Sequence, residues 1–363
     1  LGFWGEDLEI TIDFEKGIRS TINWYKENKR DLPWRNTTDP YAIWLSEIIL
    51  QQTRVNQGLP YYYTFLQAYP TVFDLANASE QEVLTHWQGL GYYSRARNLH
   101  ATAKYIANEL NGVFPTEHKE ILKLKGVGEY TAAAIASFAY NLPYPVIDGN
   151  VNRVIARLFD IRKPVDKPSG QEEIKLALNS IFDDSNPAVF NQAIMEFGAT
   201  LCTPKKPLCQ QCPLSDNCLA LEQNQVEFLP IKEGKTKVLS IDFTYLIFTF
   251  NNKTYIEKRT AGIWTNLYQF PLIEESLKSS ELLEKIASVV QNMPNDSEIN
   301  FSFEKSHILS HRKINAYFYT IKCLQPPIFL KSNIFEIELS QLGTEYPAPV
   351  LIQHFLKHYK SND

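Results

Sequence analysis

The sequence predicts two domains of different class, an all-α half followed by a smaller α+β half. Three observations predict it. Helical periodicity with short loops runs from about Phe14 to Ala220. Strand-like runs rich in β-branched and aromatic residues begin at Leu239. Between them lies a polar stretch, EQNQVEFLPIKEGKTKV, directly behind four closely spaced cysteines. The expected boundaries are 14–221 for the helical domain, 222–238 for a linker and 239–363 for the second domain. At 363 residues, each half is long enough to bury a core.

The helical elements follow in order. Phe14, Ile18, Ile22 and Tyr25 share one face. Tyr41 to Gln52 (YAIWLSEIILQQ) is a strongly apolar helix after Asp39-Pro40. Ser79-x-x-Glu82 is a capping box opening the next helix. Tyr93 to Leu110 is another, ended by Asn111-Gly112. Thr116–Lys125, Glu129–Tyr140, Asn150–Asp160, Gln171–Phe182 and Pro187–Gly198 complete the set. Beyond the linker, Leu239–Phe250, Thr254–Lys258 and Ile314–Ile321 read as strands. Ser280–Gln291 and Pro349–Lys360 read as helices.

Composition narrows the function classes. With 44% hydrophobic and 21% charged residues, the chain is ordinary globular. No apolar run is long enough to cross a membrane. The opening LGFWGEDLEI has neither the basic nor the long apolar stretch of a secretory signal. A net charge of −5 argues against a general polyanion binder but leaves room for a local basic face.

Cys202, Cys209, Cys212 and Cys218 read C-x6-C-x2-C-x5-C in CTPKKPLCQQCPLSDNC. Loops this short and polar form no core of their own, so the thiolates are expected to wrap one centre. An iron–sulfur cluster takes four cysteines; a structural zinc site or two disulfides would also use them. Only one C-x2-C pair is present, where zinc ribbons usually show two. Cys323 stands alone in an expected strand and reads as a core residue. A metal quartet with one free thiol fits a reducing compartment.

Three further segments carry chemistry. Lys123-Leu124-Lys125-Gly126-Val127-Gly128 joins two expected helices. A Gly-x-Gly turn lets the backbone approach a ligand, and its N–H groups can hold a phosphate; a plain tight turn is the simpler reading. Asp148-Gly149-Asn150 precedes a helix and could be just a turn and N-cap. Glu47 lies inside IWLSEIILQQT, the most apolar helix. A buried carboxyl there would have a raised pKa and could donate a proton near neutrality; the alternative is a glutamate snorkelling to the surface. One protonated and one ionised carboxyl suit cleavage of a glycosidic bond.

The hairpin LKGVGEYTA, then VIDGNVNRV, then the cysteine loop resembles the helix–hairpin–helix DNA glycosylase superfamily. RDLPWR, SEIILQQTRV and GLGYYSRARNLH make it similar to the adenine-specific branch. The resemblance is dense over about residues 15–230 and looser beyond. It implies a [4Fe–4S] cluster on the four cysteines. It implies that Glu47 protonates adenine N7 and that Asp148 stabilises the sugar cation, with Tyr130 beside it and Asn150 positioning it. Arg30, Leu32, Trp34, Arg35 and Gln192 match adenine-pocket positions. Gln52 and Tyr92 match residues that wedge into the base stack. Gly126 and Gly128 are the phosphate-holding turn.

Tyr130 also separates branches. Endonuclease III-like relatives carry a lysine there, which forms a Schiff base; a tyrosine implies a monofunctional hydrolase. The second domain resembles the Nudix-like fold, through RTAGIWTNLYQFP, but has no REXXEE cluster, which implies a binding domain. Leu309-Ser310-His311 stands where the family usually has Phe-Ser-His, leaving Ser310 and His311 to contact the lesion. The implied partner is double-stranded DNA with 8-oxoguanine·A or G·A mispairs, met by a monomer away from membranes. In a bacterium this would be a cytoplasmic, nucleoid-associated protein. A bifunctional lyase and a non-catalytic lesion binder are the competing readings.

Overall fold

The computed structural model describes residues 14–234, 238–277, 279–291, 298–309 and 312–362. The chain packs as two compact units, each made of two stretches: residues up to 48 with 113–234, and residues 49–112 with 235 onward.

The first unit is helical. Its main elements are Phe14–Asn28, most of Pro40–Leu50, Glu129–Tyr140, Gly149–Leu158, Pro168–Ser180 and Pro187–Thr200. Val151, Val154, Ile155 and Leu158 recur at helical spacing and are all buried. They pack with Ile174, Leu178, Phe190 and Phe197 in one core. Each such side chain contributes about 1.5–3 kcal/mol by leaving water. Gly198 lets two helices touch: a Cβ there would lie 2.7 Å from the Asn150 Cβ and 2.9 Å from its carbonyl oxygen. That close approach seats Asn150 beside the Pro187–Thr200 helix.

The expected helix Thr116–Lys125 is a single turn, His118–Ile121, followed by tight turns. The chain must reverse here: the Val127 N–H donates to the Leu124 carbonyl at 3.1 Å and Gly126 takes φ +82°. A continuous helix cannot do both.

The second unit combines helices Val55–Ala68, Val72–Asn77, Glu80–His86 and Ser94–Glu109 with the C-terminal sheet. The capping box at Ser79 is present. Its N–H donates to Glu82 Oε2 at 2.7 Å and its Oγ accepts from the Glu82 N–H at 3.2 Å. Such a cap is worth about 1 kcal/mol. Ser94–Glu109 ends at Asn111 and Gly112, both at positive φ, and the Gly112 N–H returns to the Ile106 carbonyl at 2.8 Å.

The strands are β1 (Leu239–Phe250), β2 (Lys253–Lys258), β3 (Tyr268–Gln269), β4 (Leu272–Ile273), β5 (Glu298–Leu309), β6 (Arg312–Lys322) and β7 (Ile334–Glu338). They form a mixed sheet of order β3-β2-β1-β6-β5, with β4 on β1 and β7 on β2. The β1–β6 pair is parallel; the other pairs are antiparallel. Helix Ser279–Ala287 covers one side through Leu282 and Ile286, where Cys323 is buried as expected. Phe355, from helix Val350–Asn362, stacks on Phe318 at 4.9 Å. Side-chain bonds tie helix Glu80–His86 and the residues after it into this unit. Gln88 Nε2 donates to the Gly343 carbonyl, and the Ala348 N–H donates to Gln88 Oε1, each at 2.8 Å.

Candidate active site

Glu47 is buried at 6% exposure on the Pro40–Leu50 helix, next to the fully buried Trp44 and Leu45. Burial raises its pKa to about 7; a hydrogen bond from Tyr130 opposes the shift and the charge of Asp148 adds to it. The phenol of Tyr130 is held well above its usual range, first by burial and then by the charges of Glu47 and Asp148. Tyr130 therefore stays protonated and donates to Glu47. The structure thus brings the buried Glu47 together with the partly buried Tyr130 and Asp148, from two helices and the N-cap of a third.

Asp148 is the N-cap of helix Gly149–Leu158 and more than a cap. Its Oδ1 accepts from the Asn150 and Val151 N–H groups at 2.8 and 2.7 Å, and Asn150 Nδ2 donates to its Oδ2 at 2.7 Å. Burial raises the Asp148 pKa, and these three bonds, with the positive charge of Arg153, work against that rise. They favour the ionised form in a place where solvent does not. The chain of bonds continues. Arg153 Nη2 donates to Asn150 Oδ1 at 2.9 Å and to the Gly198 carbonyl at 2.6 Å, and its Nε donates to the Cys202 carbonyl at 2.7 Å. Asp148 is therefore tied through two side chains to the first residue of the cysteine loop.

Gly128 caps helix Glu129–Tyr140 and Gly126 sits at positive φ just before it. Space around the Gly128 Cα is open, so the turn presents backbone N–H groups at a helix N-terminus.

Arg30 and Arg35 gather around Glu196, which the sequence pattern did not single out. Glu196, with no exposed surface, accepts from Arg30 Nε at 2.8 Å, Arg30 Nη2 at 2.6 Å and Arg35 Nη2 at 2.7 Å. Burial alone would raise Glu196; the bonds from Arg30 and Arg35 outweigh it and bring its pKa down to about 2. The same signal that singled out Glu47, a carboxylate in an apolar helix, was present in FNQAIMEFG. One turn earlier on that helix, Gln192 Oε1 accepts from the Tyr25 hydroxyl at 2.6 Å. That bond occupies the amide oxygen of Gln192 and leaves its N–H donors for another partner. Leu32 and Trp34 are buried at 5% and 9% exposure.

Gln52 and Tyr92 belong to the second unit. Both have positive φ, 54° and 47°, and Tyr92 is 40% exposed. Ser310 and His311 lie outside the described residues. Leu309 and Arg312 on either side of them line a cavity of about 380 Å³ with Tyr92, Arg97 and Trp264.

None of the four loop cysteines is in a disulfide, and together they line one apolar cavity with Arg157. Burial pushes the Cys212 thiol up to about 12 and raises Cys209 and Cys218; the neighbouring sulfurs add to each shift. Four cysteines around one apolar cavity are the donor set that an iron–sulfur cluster takes. The residues thus fit a [4Fe–4S] cluster. Arg157 is part of the frame: its Nη1 lies 3.4 Å from Cys202 Sγ and 2.8 Å from the Thr203 carbonyl, and its Nε donates to the Leu229 carbonyl at 3.0 Å. Protein prepared anaerobically is expected to carry about four iron atoms per chain. Cys212→Ser should lose most of the iron and lower the melting temperature, checked by iron analysis and thermal denaturation.

Comparison with known proteins agrees with this geometry. Residues 45–179 match the family described as HhH-GPD superfamily base excision DNA repair protein, and residues 202–218 match the iron-sulfur binding domain of endonuclease III. Among solved structures, a thermostable thymine-DNA glycosylase is 29% identical at TM-score 0.51, covering 57% of this chain and 95% of its own. The adenine DNA glycosylase of Buchnera aphidicola subsp. Schizaphis graminum is 36% identical, covering 73% of this chain and 77% of its own length. That of Buchnera aphidicola subsp. Acyrthosiphon pisum is 32% identical, covering 94% and 97%. The human adenine DNA glycosylase is 42% identical over 58% of this chain and 40% of its own. Likeness at this level over nearly the whole length of a relative, with a cysteine loop to match, places the chain in the adenine DNA glycosylase family.

Proposed function

We propose that this glycosylase removes adenine paired with 8-oxoguanine or guanine, using Glu47 as general acid and Asp148 as the carboxylate facing the sugar. The observation that carries the reading is the Glu47–Tyr130–Asp148 cluster, with one buried carboxyl pushed to about 7 and the other held by three N–H donors. Glu47 gives its proton to adenine N7. The C1′–N9 bond breaks and its electron pair leaves with the base, now neutral. Asp148 balances the positive charge on the sugar until a water adds at C1′ and its proton passes to a carboxylate. Extrusion of the adenine opens this bond to the pocket, and a mispair lowers the cost of extrusion. Tyr130 offers no amine for a Schiff base, so the strand stays intact.

In this reading residues 14–221 carry the chemistry and 239–363, joined through 222–238, read the opposite base as a Nudix-like binding domain. Arg30, Arg35 and Gln192 present N–H donors to the extruded adenine, with Leu32 and Trp34 behind them. The Gly126–Gly128 turn, with Lys205 and Lys206, meets phosphates. The cluster loop would keep those lysines in place.

The test is a labelled duplex carrying 8-oxoguanine·A or G·A, analysed before and after alkali. Nicking is expected only after alkali, and faster opposite 8-oxoguanine. Ser310→Ala should narrow that preference by about 5–100-fold, the worth of one base-edge contact. Equal rates on both duplexes would remove the mispair assignment, and nicking without alkali would make the protein a lyase.

A further inference from the structure

Arg95 is buried at 8% exposure in the first turn of helix Ser94–Glu109. Its guanidinium reaches two separate turns. Nη1 donates to the Ile49 and Gln51 carbonyls at 2.8 and 2.6 Å, and Nη2 to Thr53 Oγ1 at 3.3 Å. Nη2 also lies 3.2 Å from the Gly91 carbonyl and 3.5 Å from that of Leu90. One flat face sits 5.0 Å from the Trp87 ring, and Tyr92 lies 5.6 Å away. These main-chain carbonyls come from two stretches about 40 residues apart in sequence, and each stretch adjoins a residue in the left-handed region.

Those two residues are Gln52 and Tyr92. A non-glycine residue at positive φ costs roughly 1–3 kcal/mol and persists only where its surroundings fix it. Each turn has a bond of its own, Thr53 N–H to the Leu50 carbonyl at 3.1 Å and Trp87 Nε1 to the Gly91 carbonyl at 2.9 Å, and one guanidinium joins the two. Its planar fork donates to both turns at once, with more donors and a more fixed geometry than an ammonium offers. Burial lowers the Arg95 pKa only to about 10, so the group stays charged at neutrality.

We infer that Arg95 is a positioning residue for base extrusion: it locks together the two strained turns that present Gln52 and Tyr92 to the duplex, while remaining buried itself. The inference rests on reading Gln52 and Tyr92 as wedges. It deepens that reading by naming what holds them.

The experiment uses the full-length, cluster-loaded protein as wild type, Arg95→Lys, Arg95→Met and Tyr92→Ala. Extrusion is followed by stopped-flow fluorescence of 2-aminopurine placed beside the target adenine. Single-turnover excision is measured on the ordinary mispaired duplex and on one whose flanking pairs are also mismatched, where unstacking costs little. Arg95→Lys should slow extrusion by about tenfold or more, as loss of charge-assisted bonds predicts. Excision from the flank-mismatched duplex should stay within about threefold of wild type, because the chemical groups are untouched. Tyr92→Ala should show the same pattern. If Tyr92→Ala slows extrusion and Arg95→Lys does not, the positioning role is wrong although the wedge stands. If Tyr92→Ala has no effect, the wedge reading fails and the inference with it. Equal losses on both duplexes, or an Arg95→Lys protein that does not fold, would make Arg95 a general structural residue and overturn the proposal. Should only Arg95→Met fail to fold, Arg95→Lys carries the test.

Discussion

Replacing Glu47 with Gln is expected to lower the single-turnover rate of adenine excision by about 10²–10⁴-fold, the usual worth of a general acid. Duplex affinity should hardly change. The amide keeps the shape of the acid and can still accept the hydrogen bond from Tyr130. It has no proton to give to N7. The check is a quench-flow time course with enzyme in excess, beside a binding curve on the same duplex. A Glu47→Gln enzyme that cuts at the wild-type rate would remove Glu47 from the mechanism.

The same residue sets the pH dependence. Its pKa rises from 4.5 to about 7 in the fold. The acid form is the competent one, so wild-type excision should fall as pH rises through about 7, approaching tenfold per unit above it. Stability follows the same sign. The folded state prefers the protonated carboxyl, so this contribution is full below the unfolded value and is lost as pH rises through the folded one. Wild type should therefore lose melting temperature relative to Glu47→Gln as pH rises from about 4.5 to 7, the window the shift defines, and keep a constant deficit above it. At acid pH the two should converge.

What the sequence made legible was local. The capping box at Ser79, the apolar helix around Glu47 and the cysteine spacing all depend on residues close in sequence, and each stands in the structure. What it hid was long-range. Nothing in the helical pattern marks residues 49–112 as grouping with the C-terminal sheet, because tertiary packing decides that. Helix Val55–Ala68 was missed because Pro60 and the polar Tyr-rich run blur its period. β5 was missed although Ile299, Phe301 and Phe303 alternate, because the polar run EKSH breaks the pattern after Phe303. Arg95 and Arg153 bond mainly to main-chain carbonyls, as far as 49 residues away for Arg153. A carbonyl is the same in every residue, so such partners leave no signature. Glu196 differs: its carboxylate was visible, and only the arrival of two distant arginines distinguishes it from Glu47.

Asp148→Asn is expected to lose about 10²–10³-fold in excision, the worth of a preorganised charge opposite a developing one, while leaving the fold almost intact. Asn caps helices as well as Asp does, and its Oδ1 can still accept from the Asn150 and Val151 N–H groups. The loss is therefore one of charge rather than of structure. There is also a local conflict. The Asn150 amide now donates to Asp148 Oδ2; in the variant that position can become an NH₂, and two donors would face each other. Asn150 cannot relieve this by flipping, because its Oδ1 already accepts from Arg153 Nη2. The substituted side chain must turn or the relay to Cys202 must open. The expected result is a protein with its iron content unchanged, a melting temperature within a few degrees of wild type, and excision near the detection limit. Asp148→Glu should not rescue it, since a longer carboxylate cannot keep both the cap and its place at the sugar. A variant that keeps its rate without the charge would mean that the sugar cation is balanced elsewhere, and the two-carboxyl mechanism would have to be abandoned.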